Sequence, residues 1–88
     1  MFAHIRGVLT HVSPLYVVVE THGVGYKIFI PTSIYADLPQ IGQSITLHLS
    51  FVVRELSQSL YGFFSQEERD LFEVLMGVSG IGPKTALS

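Results

Sequence analysis

The sequence predicts a small, mainly β domain followed by a helical C-terminal part. Short segments with strand character recur along residues 2–64, and glycine, proline and small polar residues separate them. After Phe64 the apolar residues change to helical spacing, which indicates a different kind of structure. At 88 residues and 48% hydrophobic content, the chain can bury one modest core. We therefore expect a barrel over residues 1–64 and a helical segment over residues 65–88.

Five segments carry the signals of β-strands. They are rich in β-branched and aromatic residues or alternate in polarity, and they cover residues 2–12, 15–20, 24–30, 44–53 and 59–64. Gly7 interrupts the first segment and predicts a bulge or a sharp bend, which a small barrel needs. In the fourth segment, Ser50 and the other polar residues are expected on a face exposed to water.

The connections between these segments predict the order of the strands. Residues 32–38 contain a capping residue and are long enough for one helical turn between the third and fourth strands. Residues 54–58 form a polar break, so the last two strands are expected to form a hairpin with Arg54 and Glu55 at its tip. This order matches the five-stranded OB-fold barrel, which is used widely for nucleic acids, although a fold alone does not establish a function.

Helical signals begin directly after the barrel. Ser65 is suited to cap a helix, and Glu68 stands three residues later, as in a capping box. An apolar stripe follows and predicts a helix over residues 66–76. The stripe comprises Leu71, Phe72, Leu75 and Met76. Further on, Gly82 suits the N-cap of a second helix and Pro83 suits its first position.

The segment from Gly80 to Lys84 has the pattern of a helix-hairpin-helix. Its glycines let backbone N–H groups approach a phosphate closely, and the dipole of the second helix adds positive potential. Lys84 adds a full charge, and Ile81 is expected to anchor the bend in the apolar stripe. Such a site holds DNA without reading its sequence. On spacing alone, a glycine-rich connection between two packed helices is an equally good interpretation.

Composition argues against several kinds of site. The chain has no cysteine, and its four histidines lack the spacing of metal ligands, so we expect no metal and no cofactor. No apolar run approaches the ~20 residues that span a bilayer, and we expect a cytoplasmic protein. Nothing places a nucleophile beside a base, so we expect no enzyme activity. The net charge of -2 argues against DNA binding, but most of the excess acid lies on the predicted helix.

Four pieces of the sequence together identify a family. They are GVGY at residues 23–26, FVVRE at 51–55, LYGF at 60–63 and GIGPKTAL at 80–87. In this order and spacing, the whole chain resembles the RuvA family, the Holliday-junction-binding subunit of the bacterial branch-migration machine. The resemblance implies an OB-like domain, a domain with two helix-hairpin-helix motifs, and a C-terminal domain that binds the RuvB motor. The sequence ends within the first of these motifs, so we expect a fragment.

The resemblance also implies a function and a set of site residues. It implies a non-catalytic homotetramer on four-way junction DNA in recombination and repair, with ATP chemistry left to the RuvB motor. The residues implied to bind duplex phosphates are Gly80, Ile81, Gly82, Lys84 and Thr85, with Arg54 nearby. Glu55 matches the acidic pin of the family, whose carboxylates repel phosphates at the crossover. Leu56 follows, where the family commonly has a second acidic residue, so we expect a weaker pin.

Two other functions remain as alternatives. One is a general OB-fold module for single-stranded DNA with an aromatic platform, although most tyrosines and phenylalanines fall at predicted core positions. The other is a fragment of a structure-specific nuclease, although no carboxylate cluster is placed for two-metal chemistry. Outside the family match, Arg54 and Glu55 are better explained as a solvated hairpin tip, and the acidic residues of the predicted helix as a solvated face.

Overall fold

Five strands and two helices are found in the computed structural model, which describes residues 2–77, 82, 86 and 87 of the chain. Their bounds are β1 His4–Val12, β2 Tyr16–Thr21, β3 Val24–Phe29, α1 Thr32–Tyr35, β4 Ser44–Arg54, β5 Ser57–Phe63 and α2 Gln66–Met76. The predicted fold class, mainly β with a C-terminal helix, is confirmed. Among the residues described, no helix combines the length and the apolar character needed to cross a membrane.

The strands close into a barrel in the order β1-β2-β3-β5-β4, and β4 returns to β1. The pairing of β3 with β5 is parallel, and it joins Ile28 to Leu60 and Phe29 to Tyr61. The other described strand pairs are antiparallel. α1 lies in the crossover that the parallel pairing requires, and it begins after Pro31, without the capping side chain that was expected there. This is the OB-like order that the sequence predicted.

Alternate residues of the strands fill the barrel. The side chains of Leu9, Val17, Val19, Ile28 and Leu47 are fully buried. Burying each of them contributes roughly 1.5–3 kcal/mol relative to leaving it exposed, so these inward positions contribute much of the stability of the barrel.

The bulge expected at Gly7 lies further along β1 instead, between Leu9 and His11, where the pairing with β2 shifts. Gly7 itself keeps a regular pairing with Ile45 on β4. A Cβ atom at Gly7 would overlap the backbone carbonyl oxygen of Glu20 on β2. The glycine therefore allows β1 to lie very close to β2 while it pairs with β4.

The β4–β5 hairpin is tighter than the sequence suggested. The two strands continue to Arg54 and Ser57, which pair with each other, so the turn consists of Glu55 and Leu56 alone. The polar break expected over residues 54–58 is therefore mostly strand. Cross-strand pairing outweighs the weak strand preference of these polar side chains.

α2 begins at the predicted N-cap, and only the N-cap half of the expected capping box is found among the described hydrogen bonds. Ser65 is the N-cap, and its Oγ accepts a hydrogen bond from the backbone N–H of Glu68 at 3.1 Å. The same hydroxyl donates to Oε1 of Glu68 at 3.1 Å, so the two residues meet through their side chains. The acidic residues of this first turn also interact favourably with the helix dipole.

α2 packs on the outer surface of the barrel through Phe72, which is 2% exposed. Leu75 and Met76 are half-buried in the same cluster, as the predicted stripe requires. Leu71 is 59% exposed, so the buried stripe is narrower than predicted.

Replacing Gly7 with alanine is expected to destabilise the protein by about 1–3 kcal/mol, because the added methyl group must displace the carbonyl of Glu20. Urea denaturation followed by circular dichroism measures the change in the free energy of unfolding. Ser44→Ala, at the exposed start of β4, is the control and is expected to stay within about 0.5 kcal/mol. A Gly7→Ala variant as stable as the wild type would contradict the close approach of β1 and β2.

Candidate nucleic-acid interface

The tip of the β4–β5 hairpin presents an acidic residue beside an apolar one. Glu55 and Leu56 form the turn, and both side chains are exposed, Leu56 to 97%. Within the described ranges, no lysine, arginine or histidine forms an ion pair with Glu55. The negative charge at the tip is therefore available to act on a charged ligand.

Arg54 links this hairpin to the end of α2. Its Nη2 atom lies 3.8 Å from Sδ of Met76, close enough for a weak hydrogen bond. α2, all of whose residues are described, has no basic residue in its last turn, so the guanidinium supplies positive charge near the helix C-terminus. The hairpin tip and the chain that leaves α2 at Gly77 consequently lie at the same end of the protein.

Two polar contacts fix α2 on the barrel. Ser50, which is only 4% exposed, donates a hydrogen bond to Oε2 of Glu73 at 2.9 Å. Arg69 donates from Nη1 to the carbonyl oxygens of Ala3 and Leu49, both at 3.4 Å. Ser50 was expected to face water, and it is buried because α2 covers this part of β4. These contacts set the direction in which α2 runs to its end at Met76.

Gly82 and Ala86 mark the start of a second helical segment. The N–H of Ala86 donates to the carbonyl oxygen of Gly82 at 3.0 Å, which is the spacing of an α-helical hydrogen bond. This agrees with Gly82 as the predicted N-cap. Ala86 is 8% exposed and belongs to the cluster of Phe63 and Phe72. The other residues expected to bind phosphate on this segment lie outside the described residues, namely Gly80, Ile81, Lys84 and Thr85.

A row of aromatic rings crosses the outer surface of β2, β3 and β5. This aromatic row consists of Tyr16, Phe29 and Tyr61, with ring centroids 6.2 Å and 5.6 Å apart. Nζ of Lys27 lies 4.5 Å from the ring centroid of Tyr16 and 5.4 Å from that of Phe29. This row was not predicted from the sequence. Alternation along residues 24–30 places Lys27 and Phe29 opposite the core, but only the strand pairing shows which rings join them.

The described histidines and acidic residues do not gather into a metal centre. Over residues 2–77, 82, 86 and 87, no group of three or more of them is placed to hold a metal ion. His11 stacks on Tyr16 with ring centroids 5.5 Å apart, and His22 lies with Nδ1 3.0 Å from Oγ1 of Thr21. These two rings therefore have partners within the fold.

The fold and the site together define a class of protein: an OB-like barrel with an appended helix, in which the tip of the β4–β5 hairpin and the C-terminal end of α2 lie at one end. Residues 1–62 match the family described as RuvA N terminal domain. The chain belongs to this family, and the resemblance inferred from its motifs is confirmed.

Several relatives carry the name Holliday junction branch migration complex subunit RuvA. The relative from Protochlamydia amoebophila (strain UWE25) is 54% identical over 88 residues, which is 100% of this chain and 44% of that protein. The relative from Staphylococcus aureus (strain Newman) is 50% identical over the same shares. The one from Marinobacter nauticus is 49% identical over 87 residues, 99% of this chain and 42% of that protein. The chain thus spans less than half the length of these relatives.

Removing the carboxylate of Glu73 is expected to loosen α2. Glu73→Ala takes the acceptor away from the buried hydroxyl of Ser50, which should cost about 1–3 kcal/mol in the free energy of unfolding. Glu73→Gln keeps a side-chain oxygen and is the matched control, with a smaller expected loss. Urea denaturation measures both variants. Equal losses in the two would show that this hydrogen bond does not hold the helix.

Proposed function

We propose that the chain is part of a non-catalytic scaffold that binds four-way junction DNA during branch migration in recombination and repair. Membership of the RuvA family is the observation that carries this proposal, because relatives along the whole chain are named as branch-migration subunits. The arrangement at one end of the barrel supports it. There, an acidic hairpin tip lies near the C-terminal end of α2, the helix that precedes the glycine-rich segment in the sequence.

The glycine-rich segment binds duplex phosphates in this proposal. Backbone N–H groups at the bend bind phosphate oxygens, and the lysine and threonine of the following helix contact the same strand. The residues assigned to this role are Gly80, Ile81, Gly82, Lys84 and Thr85, with Arg54 assisting from the hairpin. The helical hydrogen bond from Ala86 to Gly82, and the packing of Ala86 against Phe63 and Phe72, support the start of the second helix.

Glu55 acts as a pin at the crossover. Its carboxylate repels phosphates, which raises the free energy of arrangements that bring the backbones inward and favours separated strands. The exposure of Glu55 at the tip of a rigid two-residue turn supports this role. Leu56 carries no charge, so each subunit contributes a single carboxylate to the pin.

The proposal includes an assembly and a partner. Four copies form a homotetramer on the junction, and the RuvB motor supplies the ATP-driven movement in the cytoplasm. Residues 1–64 form the OB-fold domain, and residues 65–88 form the first helix-hairpin-helix of a second domain.

Lys84→Ala is expected to weaken junction binding and to lower the salt dependence of binding. The slope of log affinity against log salt concentration should fall by about 0.9 for each lysine–phosphate contact removed. Fluorescence anisotropy with a labelled four-way junction at several salt concentrations measures both quantities. Lys27→Ala, on the aromatic row, is the matched control and should leave both unchanged. Wild-type affinity and slope in Lys84→Ala would contradict the phosphate-binding role.

Binding of single-stranded DNA is a second candidate function, and the aromatic row favours it. Stacking of a base on an aromatic side chain contributes about 1–3 kcal/mol, and a nearby lysine can neutralise the phosphate of the same nucleotide. Tyr16, Phe29 and Tyr61 are half-buried, so each ring retains an exposed part. Lys27 supplies the positive charge beside two of the rings.

A competition experiment separates the two candidates. We expect an unlabelled single strand to displace a labelled four-way junction poorly, because the aromatic row lacks the convergent N–H groups of the bend. Phe29→Ala should then bind the junction like the wild type, as should Tyr35→Ala, an exposed tyrosine outside the row. The second candidate would be favoured if the wild type prefers the single strand, if Phe29→Ala loses this preference and if Tyr35→Ala keeps it.

A further inference from the structure

We propose that Leu56 is an apolar wedge that covers the exposed face of a base pair at the open crossover of the junction. This inference rests on the proposed function and assigns a further contact to the same end of the protein. Leu56 is 97% exposed, and Val53 on the adjoining strand end is 58% exposed. Single apolar residues on a surface are ordinary, so the argument depends on where Leu56 lies.

The position of Leu56 is fixed by the hairpin. Its turn has two residues, and Arg54 pairs with Ser57 directly below it, so the leucine is held on a short, well-defined support. Arg54 is in turn held against Met76 at the end of α2. The wedge therefore keeps a defined position relative to the C-terminal end of α2.

The chemistry at this end of the protein selects the ligand. Arg54 offers positive charge, Glu55 offers negative charge, and Leu56 offers an apolar surface, all on consecutive residues. A protein partner would need an interface of about 800 Å² on each side, whereas the tip presents only two exposed apolar side chains. An opened nucleic acid needs little area, because it presents a phosphate backbone beside the apolar face of an unstacked base pair.

Glu55 and Leu56 favour the same arrangement of the DNA. The carboxylate of Glu55 repels phosphates from the tip, and the side chain of Leu56 replaces water on the base face that remains there. Leucine is among the side chains that proteins insert between base steps. A second carboxylate at position 56 would add repulsion and no contact with a base, so this tip acts by contact as well as by charge.

The test compares Leu56→Ser with the wild type on two DNAs, a four-way junction and an uninterrupted duplex of the same total length. We expect Leu56→Ser to bind the junction about tenfold more weakly, which corresponds to partial loss of one buried leucine side chain. Binding to the duplex should not change, since it has no unstacked face. The salt slope should also stay at the wild-type value, because an apolar contact releases no counterions.

Two control variants accompany Leu56→Ser. Leu56→Met keeps an apolar side chain of similar volume and should restore junction affinity. Ile41→Ser removes an apolar residue that is 63% exposed on another surface and should bind both DNAs like the wild type. Because Leu56 has almost no contacts in the fold, neither substitution at position 56 should change the thermal midpoint of unfolding.

The outcomes distinguish failure of the wedge from failure of the proposed function. Wild-type junction affinity in Leu56→Ser, while Lys84→Ala still weakens junction binding, overturns the wedge alone. The wedge is also overturned if Leu56→Ser loses equal affinity for the junction and the duplex, or if its salt slope is smaller than that of the wild type. If the wild-type protein does not prefer the four-way junction to the duplex, the proposed function fails and the wedge fails with it.

Discussion

The packing of Phe72 on the outside of β5 is the contact that holds α2 on the barrel, and the position of the helix end beside the hairpin depends on it. The ring lies 5.0 Å from Tyr61 and 5.2 Å from Phe63, measured between centroids, and is almost completely buried. Ala86 joins the same cluster from beyond the glycine-rich segment. One aromatic side chain thus connects the barrel, α2 and the next helical turn. Ser50 and its partner on α2 add direction to this attachment, because a hydrogen bond restricts orientation more than apolar packing does.

The local features of the chain were predictable because neighbouring residues determine them. The N-cap at Ser65 formed as expected. Alternation predicted which residues in the middle of β3 and β4 are buried, although the apolar residues at the ends of this pattern, Val24 and Val53, are exposed. The N-cap role of Gly82 also agrees with the described hydrogen bond to Ala86. Such signals depend on the spacing of apolar side chains along the chain and on backbone groups within four residues. Both can be read directly from the sequence.

Features that depend on distant parts of the chain were not predictable in the same way. Ser50 occupies a polar position of β4, and nothing in its surroundings along the sequence indicates that α2 covers it. The aromatic row arises because Phe29 has one neighbour on β2 and another on β5, the latter through a parallel pairing. Strand register across a barrel is a property of the closed structure. Alternation along one strand predicts that a ring faces outward, but it does not predict which rings of the adjacent strands lie beside it.

The tightness of the hairpin turn also limits how this protein can change during evolution. Arg54 pairs with Ser57 across a turn of two residues. One inserted residue would therefore force a bulge or shift the register of the two strands. A register shift of one position turns every following side chain to the opposite face of the sheet. Because β5 also closes the barrel against β3, such a shift would carry buried residues outward. Loop length at the tip therefore sets the reach and direction of the hairpin, whereas exchanging side chains at constant length leaves both unchanged.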